Sequence, residues 1–331
     1  MRQKVIILGS TGSLGTQALE VLKKHKKHFE IVALFARRNG EKLDQQAQNF
    51  KAKAFLVSDK KLNDSFQQIV DSADIVLNVL AGTAGIIPTI ISLNANKILI
   101  LGNKESLVAN GKKVMEIAKA DQLIPLDSEH NAIYEILKKF PTKKIKNIVI
   151  PCSGGPFWKK TAAQLKNITA QDALRHPRWK MGPKISIESA SLINKGLEII
   201  EAHFLFGLPL KKIKVALHPP CKIHGIVEFE DGSKFAYLAE PDMREHLENA
   251  LLRAAKLKIP SRKIVKVSKK IESQYKILKN FPANLPGIQI VLNAFKKNPK
   301  KMKEFLQKEE KVIQSFLTAK INFSEIFTRL S

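Results

Sequence analysis

The chain has 331 residues, 56 of them Lys or Arg and 30 Asp or Glu, which gives a formal charge of +26 at neutral pH. That length buries a large core and predicts two or three domains, while its two cysteines, Cys152 and Cys221, stand without metal-ligand neighbours and exclude a disulfide framework. The charge raises nucleic-acid binding as a rival function, but 47 of the 56 basic residues are lysines scattered from Lys23–Lys24 to Lys300–Lys301, whereas groove reading favours clustered arginine.

The opening "MRQKVIILGSTG" has an apolar run of four residues before glycine interrupts it. That is too short for a secretory h-region, so a cytoplasmic location is expected. "KVIILGSTGSLGTQALEVLKKH" reads as strand, glycine turn and helix, and "FEIVALFARRNGEKLDQQAQNF" as a second strand and helix. "KAFLVS", "ADIVLNVLAG" and "NKILILGNKESL" add apolar strands, each followed by polar or helical sequence. Residues 75–93, "IVLNVLAGTAGIIPTIISL", carry no charge and approach membrane-spanning length. Asn78, Gly82, Gly85 and Pro88 punctuate them, which predicts a buried strand, a small-residue turn and a helix with proline near its first turn, and no membrane span. This run of βα units predicts an α/β fold with a Rossmann-like, doubly wound parallel sheet over residues 1–126.

After residue 126 the character changes. "KNIVIPCSGGPF", "ISIESASL", "KVALHPP" and "HGIVEFEDGSKFAYLAEPD" predict a second sheet, in an α+β domain over residues 127–244. "RHPRWKMG" reads as a mobile loop in it. From Glu245 the chain turns lysine-rich and mostly helical, broken at Pro260, Pro282, Pro286 and Pro299, so residues 245–331 are expected to be a linker and a short helical region.

Gly9, Gly12 and Gly15 in "GSTGSLG" follow a strand and open a helix, where glycine permits a tight turn and close approach of a pyrophosphate to the helix N-terminus. At the end of the second strand an NAD site offers an acid to the ribose. Here stand Ala36, Arg37, Arg38 and Asn39, and two cations suit the 2′-phosphate of NADPH.

"PLDSEHNAIYEIL" places Asp127 and Glu129 two residues apart at the junction of an apolar run and a helix start. In extended chain such positions share a face, and a divalent cation relieves the repulsion of converging carboxylates. Downstream, "SGGPF" offers hydroxyl and backbone donors to an anion. Ser189, Asn194 and Lys195 suit a phosphate; with a helix beginning near Ser191, Asn194 and Glu198 share a face and Glu198 offers a third metal ligand.

In order, "GSTGSLG", "LGNKESLVANG", "LDSEHNAI", "SGGPF", "RHPRWKMG", "SASLINKGLE" and "EPDMR" make residues 1–250 resemble the 1-deoxy-D-xylulose 5-phosphate reductoisomerase family. The resemblance implies NADPH-dependent rearrangement and reduction of that sugar phosphate to 2-C-methyl-D-erythritol 4-phosphate, on the route to isoprenoid precursors. It also implies one divalent ion (Mg²⁺, Mn²⁺ or Co²⁺) on Asp127, Glu129 and Glu198, with catalytic roles for Lys104, Glu129 and His176. Lys104, Ser128, Glu129, Ser153, His176, Trp179, Ser189, Asn194, Lys195 and Glu198 would contact the substrate, His176 and Trp179 from a flap. Thr11, Gly12, Ser13, Leu14, Arg37, Arg38, Asn39, Asn103, Glu105 and Gly182 would serve the cofactor, with Met181 beside Gly182 on the nicotinamide side. A homodimer is expected.

The sequence departs from the family pattern at Pro220 and Cys221, before His224, and at Trp158 after "SGGPF". Its C-terminal region is shortened. These changes keep a related NADPH oxidoreductase acting on another sugar phosphate as an alternative.

Overall fold

The computed structural model describes residues 1–175, 178, 179, 181–259 and 263–331. Six apolar runs form strands β1 (Gln3–Leu8), β2 (Phe29–Ala36), β3 (Lys53–Leu56), β4 (Ile75–Asn78), β5 (Ile98–Leu101) and β6 (Leu123–Pro125). They pair in the order β3-β2-β1-β4-β5-β6, all parallel. Val5 to Leu8 and Ile75 to Leu77 are wholly buried in unbroken runs, the mark of strands covered on both faces. The order reverses between β1 and β4, and at such a switch point the loops leaving the carboxyl ends of the two strands splay apart to leave a crevice. Phe35 stacks on Phe55 with ring centroids 4.6 Å apart and meets Phe66 edge-on at 5.9 Å, closing the core beside β2.

Residues 75–93 form the expected strand, then a 3₁₀ turn Gly82–Gly85 and a helix Ile86–Asn94 with Pro88 in its first turn. Pro88 lacks only an N–H that has no partner at that position.

The chain separates into two compact units, Met1–Asn131 with Asp242–Pro260, and Ala132–Pro241 with Ser261–Ser331. The first is therefore discontinuous in sequence. Its returning helix, Met243–Ala254, is tied to the helix Ser13–Lys24 by Arg244 to Glu20 at 3.2 Å, and Glu248 accepts from Lys24 at 2.8 Å and pairs with His25 at 2.6 Å.

The second unit holds a mixed sheet of β7 (Ile145–Cys152), β8 (Ile213–Leu217), β9 (Ile223–Phe229), β10 (Lys234–Leu238), β11 (Ile264–Lys266) and β12 (Lys276–Ile277). The order is β11-β10-β9-β7-β8-β12, antiparallel except for β7 with β8. "ISIESASL", expected in this sheet, is instead helical over Pro183–Ala190. Pro183 takes the first helical position after an extended Gly182, and Ser186, Ile187, Glu188 and Ala190 are buried, a spread that a strand face does not give. β11 and β12 interrupt the region expected to be mostly helical; they are edge strands of three and two residues, added to β10 and β8. The C-terminal helices pack on the rest of this unit, because Phe323 is fully buried between Phe316, Phe327 and Phe157 at 5.0 to 5.6 Å.

Candidate functional site

In the first unit, β1 runs into the glycine turn. Gly9 sits at φ +96°, and its N–H and that of Ser10 both donate to the Phe35 carbonyl, at 2.8 and 3.0 Å. A Cβ on Gly15 would lie 2.2 Å from the Gly9 carbonyl oxygen, so the helix Ser13–Lys24 starts hard against the turn. Gly12 is the extended residue before that helix and carries no capping side chain, and Gly12 and Ser13 are exposed. The turn is a bare backbone surface at a helix N-terminus, a form that suits an anion.

β2 ends at Ala36, and Arg37 and Arg38 follow as exposed bends. Asn39 adopts a left-handed conformation and caps the helix Gly40–Phe50 by accepting from the Lys42 N–H. The Thr11 hydroxyl donates to the Arg38 carbonyl at 3.4 Å, so the arginine loop and the glycine turn are joined. Sequence reasoning missed Lys42, whose ammonium donates to the Thr11 carbonyl at 3.0 Å and the Thr16 hydroxyl at 2.9 Å. Its only signal in the sequence is a lysine in the first turn of the helix after the two arginines.

Asn103 and Glu105 brace the loop that leaves β4. The Asn103 amide donates to the carbonyls of Leu80 and Gly82 and to the Glu105 carboxylate, at 2.8 to 2.9 Å. Glu105 in turn accepts from the Gly82 N–H at 3.0 Å. Both side chains are buried.

At the end of β6, Asp127 precedes the helix Ser128–Lys139, so Glu129 lies in its first turn and not in the extended segment expected. The two still converge: oxygens of the Asp127 and Glu129 carboxylates lie within 4.8 Å. Buried Lys104, opening the helix Lys104–Ile117, donates to Asp127 at 2.6 Å, and the Ser128 hydroxyl donates to Glu129 at 2.5 Å.

The second unit, taken by itself, holds three groups of candidate residues. "SGGPF" follows β7 with Gly154 and Gly155 both at positive φ, and Gly155 donates to the Ser153 hydroxyl at 3.0 Å. A Cβ on Gly155 would meet the Ser189 carbonyl at 2.9 Å, so this loop lies on the end of the helix Pro183–Ala190 and brings Ser153 and Ser189 into one neighbourhood. The helix Ile193–Phe206 then starts after left-handed Leu192. As the four-residue spacing predicts, Asn194 and Glu198 meet on one face: the Asn194 amide donates to one oxygen of buried Glu198, and Lys195 donates to the other. Lys195 also reaches the Pro151 carbonyl at 2.7 Å, tying the helix to β7.

Third, Trp179 packs edge-on against the His224 ring of β9, with centroids 6.0 Å apart. Gly182 is half-buried before the helix Pro183–Ala190, and Met181 adjoins it. His176 lies outside the described residues. Beside β8, burial holds the His218 imidazole below its ordinary pKa, opposed in part by the Gln274 carbonyl. Its Nδ1 donates to that carbonyl at 2.8 Å, and its Nε2 accepts from the N–H groups of Lys222 and Ile223 at 3.1 Å. This fixes the neutral form and shapes the loop with Pro220 and Cys221, where Cys221 takes φ +54°.

A sheet in this strand order, with a glycine turn at its switch point and two cations after its second strand, belongs to the class of dinucleotide-binding α/β proteins. Family models for 1-deoxy-D-xylulose 5-phosphate reductoisomerase match residues 5–72 and 63–111, and the model for that enzyme's C-terminal domain matches residues 123–206. The reductoisomerase of Sulfurihydrogenibium sp. is 37% identical over 98% of this chain and 88% of its own length. That of Caldanaerobacter subterraneus is 42% identical over 75% of this chain and 70% of its own. Among solved structures, a reductoisomerase in complex with NADPH, fosmidomycin and magnesium superposes with a TM-score of 0.85 at 30% identity, covering 99% of this chain and 89% of that one. The Zymomonas mobilis reductoisomerase in complex with NADPH gives 0.81 at 28% identity, covering 100% and 90%. The chain belongs to the 1-deoxy-D-xylulose 5-phosphate reductoisomerase family.

Proposed function

We propose that this chain catalyses the NADPH- and divalent-metal-dependent conversion of 1-deoxy-D-xylulose 5-phosphate to 2-C-methyl-D-erythritol 4-phosphate, in the supply of isoprenoid precursors. The observation that carries it is the convergence of Asp127 and Glu129, carboxylate oxygens within 4.8 Å, beside the buried ammonium of Lys104. An all-oxygen set of this kind fits a hard cation such as Mg²⁺ or Mn²⁺, or Co²⁺. The bare backbone at Gly9 and Gly15, where a Cβ would strike backbone at 2.9 and 2.2 Å, fits a pyrophosphate, and exposed Arg37 and Arg38 fit a 2′-phosphate.

Asp127, Glu129 and Glu198 would hold the cation, which when bound supplies Lewis-acid polarisation of the substrate's carbonyl and hydroxyl oxygens, while the nicotinamide supplies the hydride. Thr11, Gly12, Ser13 and Leu14 line the pyrophosphate, Arg37, Arg38 and Asn39 the 2′-phosphate. Asn103 and Glu105, which brace the loop after β4, would serve the cofactor side, and Met181 and Gly182 would serve the nicotinamide. Ser153, Ser189, Asn194 and Lys195 take the substrate phosphate, whose binding energy aligns the reacting carbons. Lys104 and Ser128 donate to substrate oxygens, Lys104 stabilising the negative charge that builds there as one carbon–carbon bond breaks and another forms. Trp179, with His176 as the second flap residue that the family resemblance implies, would exclude water so that the aldehyde formed is reduced and not hydrated.

In functional terms, residues 1–126 bind the nucleotide, 127–244 the metal and substrate, and 245–331 complete the helical cover. The working form is a cytoplasmic homodimer with no nucleic-acid partner. The test is substrate choice: purified chain with NADPH and Mn²⁺ should consume cofactor with 1-deoxy-D-xylulose 5-phosphate and not with xylulose 5-phosphate. Consumption with the second alone would assign a different sugar phosphate.

A further inference from the structure

We propose that Lys42 is a specificity-determining residue for the phosphorylated dinucleotide, locking the two-arginine loop to the glycine turn and adding a third positive charge between them. The helix Gly40–Phe50 is bonded to the turn at two places. Gln46 donates to the Ser10 carbonyl at 3.1 Å and Lys42 to the Thr11 carbonyl at 3.0 Å, while the Thr16 hydroxyl, itself a Lys42 partner at 2.9 Å, donates to the Gly12 carbonyl at 2.9 Å. Three successive carbonyls of the turn are thus engaged by side chains. Only one of those side chains is charged.

Lys42 also reads the other loop. Its backbone N–H is bound by the Asn39 side chain at 3.1 Å, and Thr11, whose carbonyl it holds, bonds the Arg38 carbonyl through its hydroxyl at 3.4 Å. The loop of Arg37, Arg38 and Asn39 and the phosphate turn are therefore one bonded frame, which Lys42 joins through its backbone N–H on one side and its ammonium on the other. An ammonium has three N–H donors, and two are spent on Thr11 and Thr16. The third, with the full charge, remains for a phosphate oxygen. Half-burial strengthens that charge relative to a solvated lysine. A neutral residue here would keep the helix and the bonds of Gln46, Thr16 and Thr11, and would lose the charge together with the tie from residue 42 to the Thr11 carbonyl.

This inference rests on the NADPH reading above, and the experiment separates the two. Titrate wild type, Lys42→Met, Lys42→Gln, Lys42→Arg and Gln46→Leu with NADPH, NADH, 2′,5′-ADP and 5′-ADP, following protein and nicotinamide fluorescence without metal or substrate. Lys42→Met and Lys42→Gln should weaken NADPH and 2′,5′-ADP about tenfold, the effect of one charge-assisted hydrogen bond, and NADH and 5′-ADP by about twofold or less. Lys42→Arg should restore most of the difference. Gln46→Leu, which removes a neutral bond from the same helix, should weaken all four ligands alike. Equal losses for phosphorylated and unphosphorylated ligands in Lys42→Gln would make Lys42 a structural brace and overturn the inference, as would no loss at all. Wild type that binds none of the four would instead remove the NADPH reading.

Discussion

Gly15→Ala tests how tightly the cofactor turn is built. The added methyl would stand 2.2 Å from the Gly9 carbonyl oxygen, 2.6 Å from Ser10 Cα and 2.7 Å from the Ser10 carbonyl carbon, against ordinary contact at 3.4 Å and beyond. All three are backbone atoms, so no side chain can rotate out of the way. The backbone itself is pinned, by Gly9 and Ser10 on the Phe35 carbonyl and by Gln46 on the Ser10 carbonyl. Relief requires the turn or the helix Ser13–Lys24 to move by about an ångström, which places the cost near the upper end of overpacking, about 3 kcal/mol. Gly12→Ala supplies the contrast. Its Cβ would come only to 3.3 Å of the Gly9 oxygen, at an ordinary negative φ, so it should cost less than about 1 kcal/mol of stability. Yet Gly12 is exposed in the turn proposed to hold the pyrophosphate, so its methyl should weaken NADPH more than it weakens the fold. Chemical denaturation and NADPH titration on both variants give the four numbers needed. Gly15→Ala with wild-type stability and NADPH affinity would refute the packing argument, and Gly12→Ala with wild-type affinity would refute the placing of the pyrophosphate.

Replacing Arg37 and Arg38 together by alanine should cut catalytic efficiency with NADPH far more than with NADH; equal losses would show that neither reads the 2′-phosphate. Glu198→Gln keeps size and an oxygen but removes a charge, so Mn²⁺ affinity should fall and turnover drop by orders of magnitude, as loss of a principal electrostatic stabiliser does, while NADPH affinity survives. Near-normal turnover of this variant at limiting Mn²⁺ would remove Glu198 from the metal site. The depressed pKa of His218 means that below about 6.5 the unfolded chain takes up a proton that the folded chain resists, so stability should fall as pH drops through that value and lose this dependence above it. Thermal unfolding of wild type and His218→Asn across that range checks the sign; an identical pH profile in both would show that His218 is not the group responsible.

Much of the first unit was legible because β1, β2, β4 and β5 are continuous apolar runs closed by glycine, arginine or asparagine. Residues 75–93 could be divided correctly for the same reason, since Asn78, Gly82 and Pro88 each have a local conformational meaning. "ISIESASL" was not, because its isoleucines and serines alternate with the period of a strand, and the decisive facts are Pro183 at the helix start and burial against distant residues. β11 and β12 carry no local signal at three and two residues; their partners β10 and β8 create them. The metal and phosphate candidates were readable as residue types at short spacings. The pairing of Lys104 with Asp127 joins residues 23 apart, and that of Lys42 with Thr11 joins residues 31 apart, so both depend on which strands become neighbours. The return of residues 242–260 to the first unit is hidden in the same way.

The most direct measurement follows the methyl group of 1-deoxy-D-xylulose 5-phosphate, carbon-13 labelled, by NMR as the purified chain turns it over with NADPH and Mg²⁺. The methyl carbon starts on a ketone. Rearrangement with reduction predicts that it ends on a carbon bearing both a hydroxyl and a hydroxymethyl branch, with one NADPH oxidised per branched product and the reaction arrested by a chelator. NADPH oxidation that leaves the methyl on an unbranched chain, or a labelled substrate recovered unchanged while NADPH and Mg²⁺ are both bound, would contradict the account.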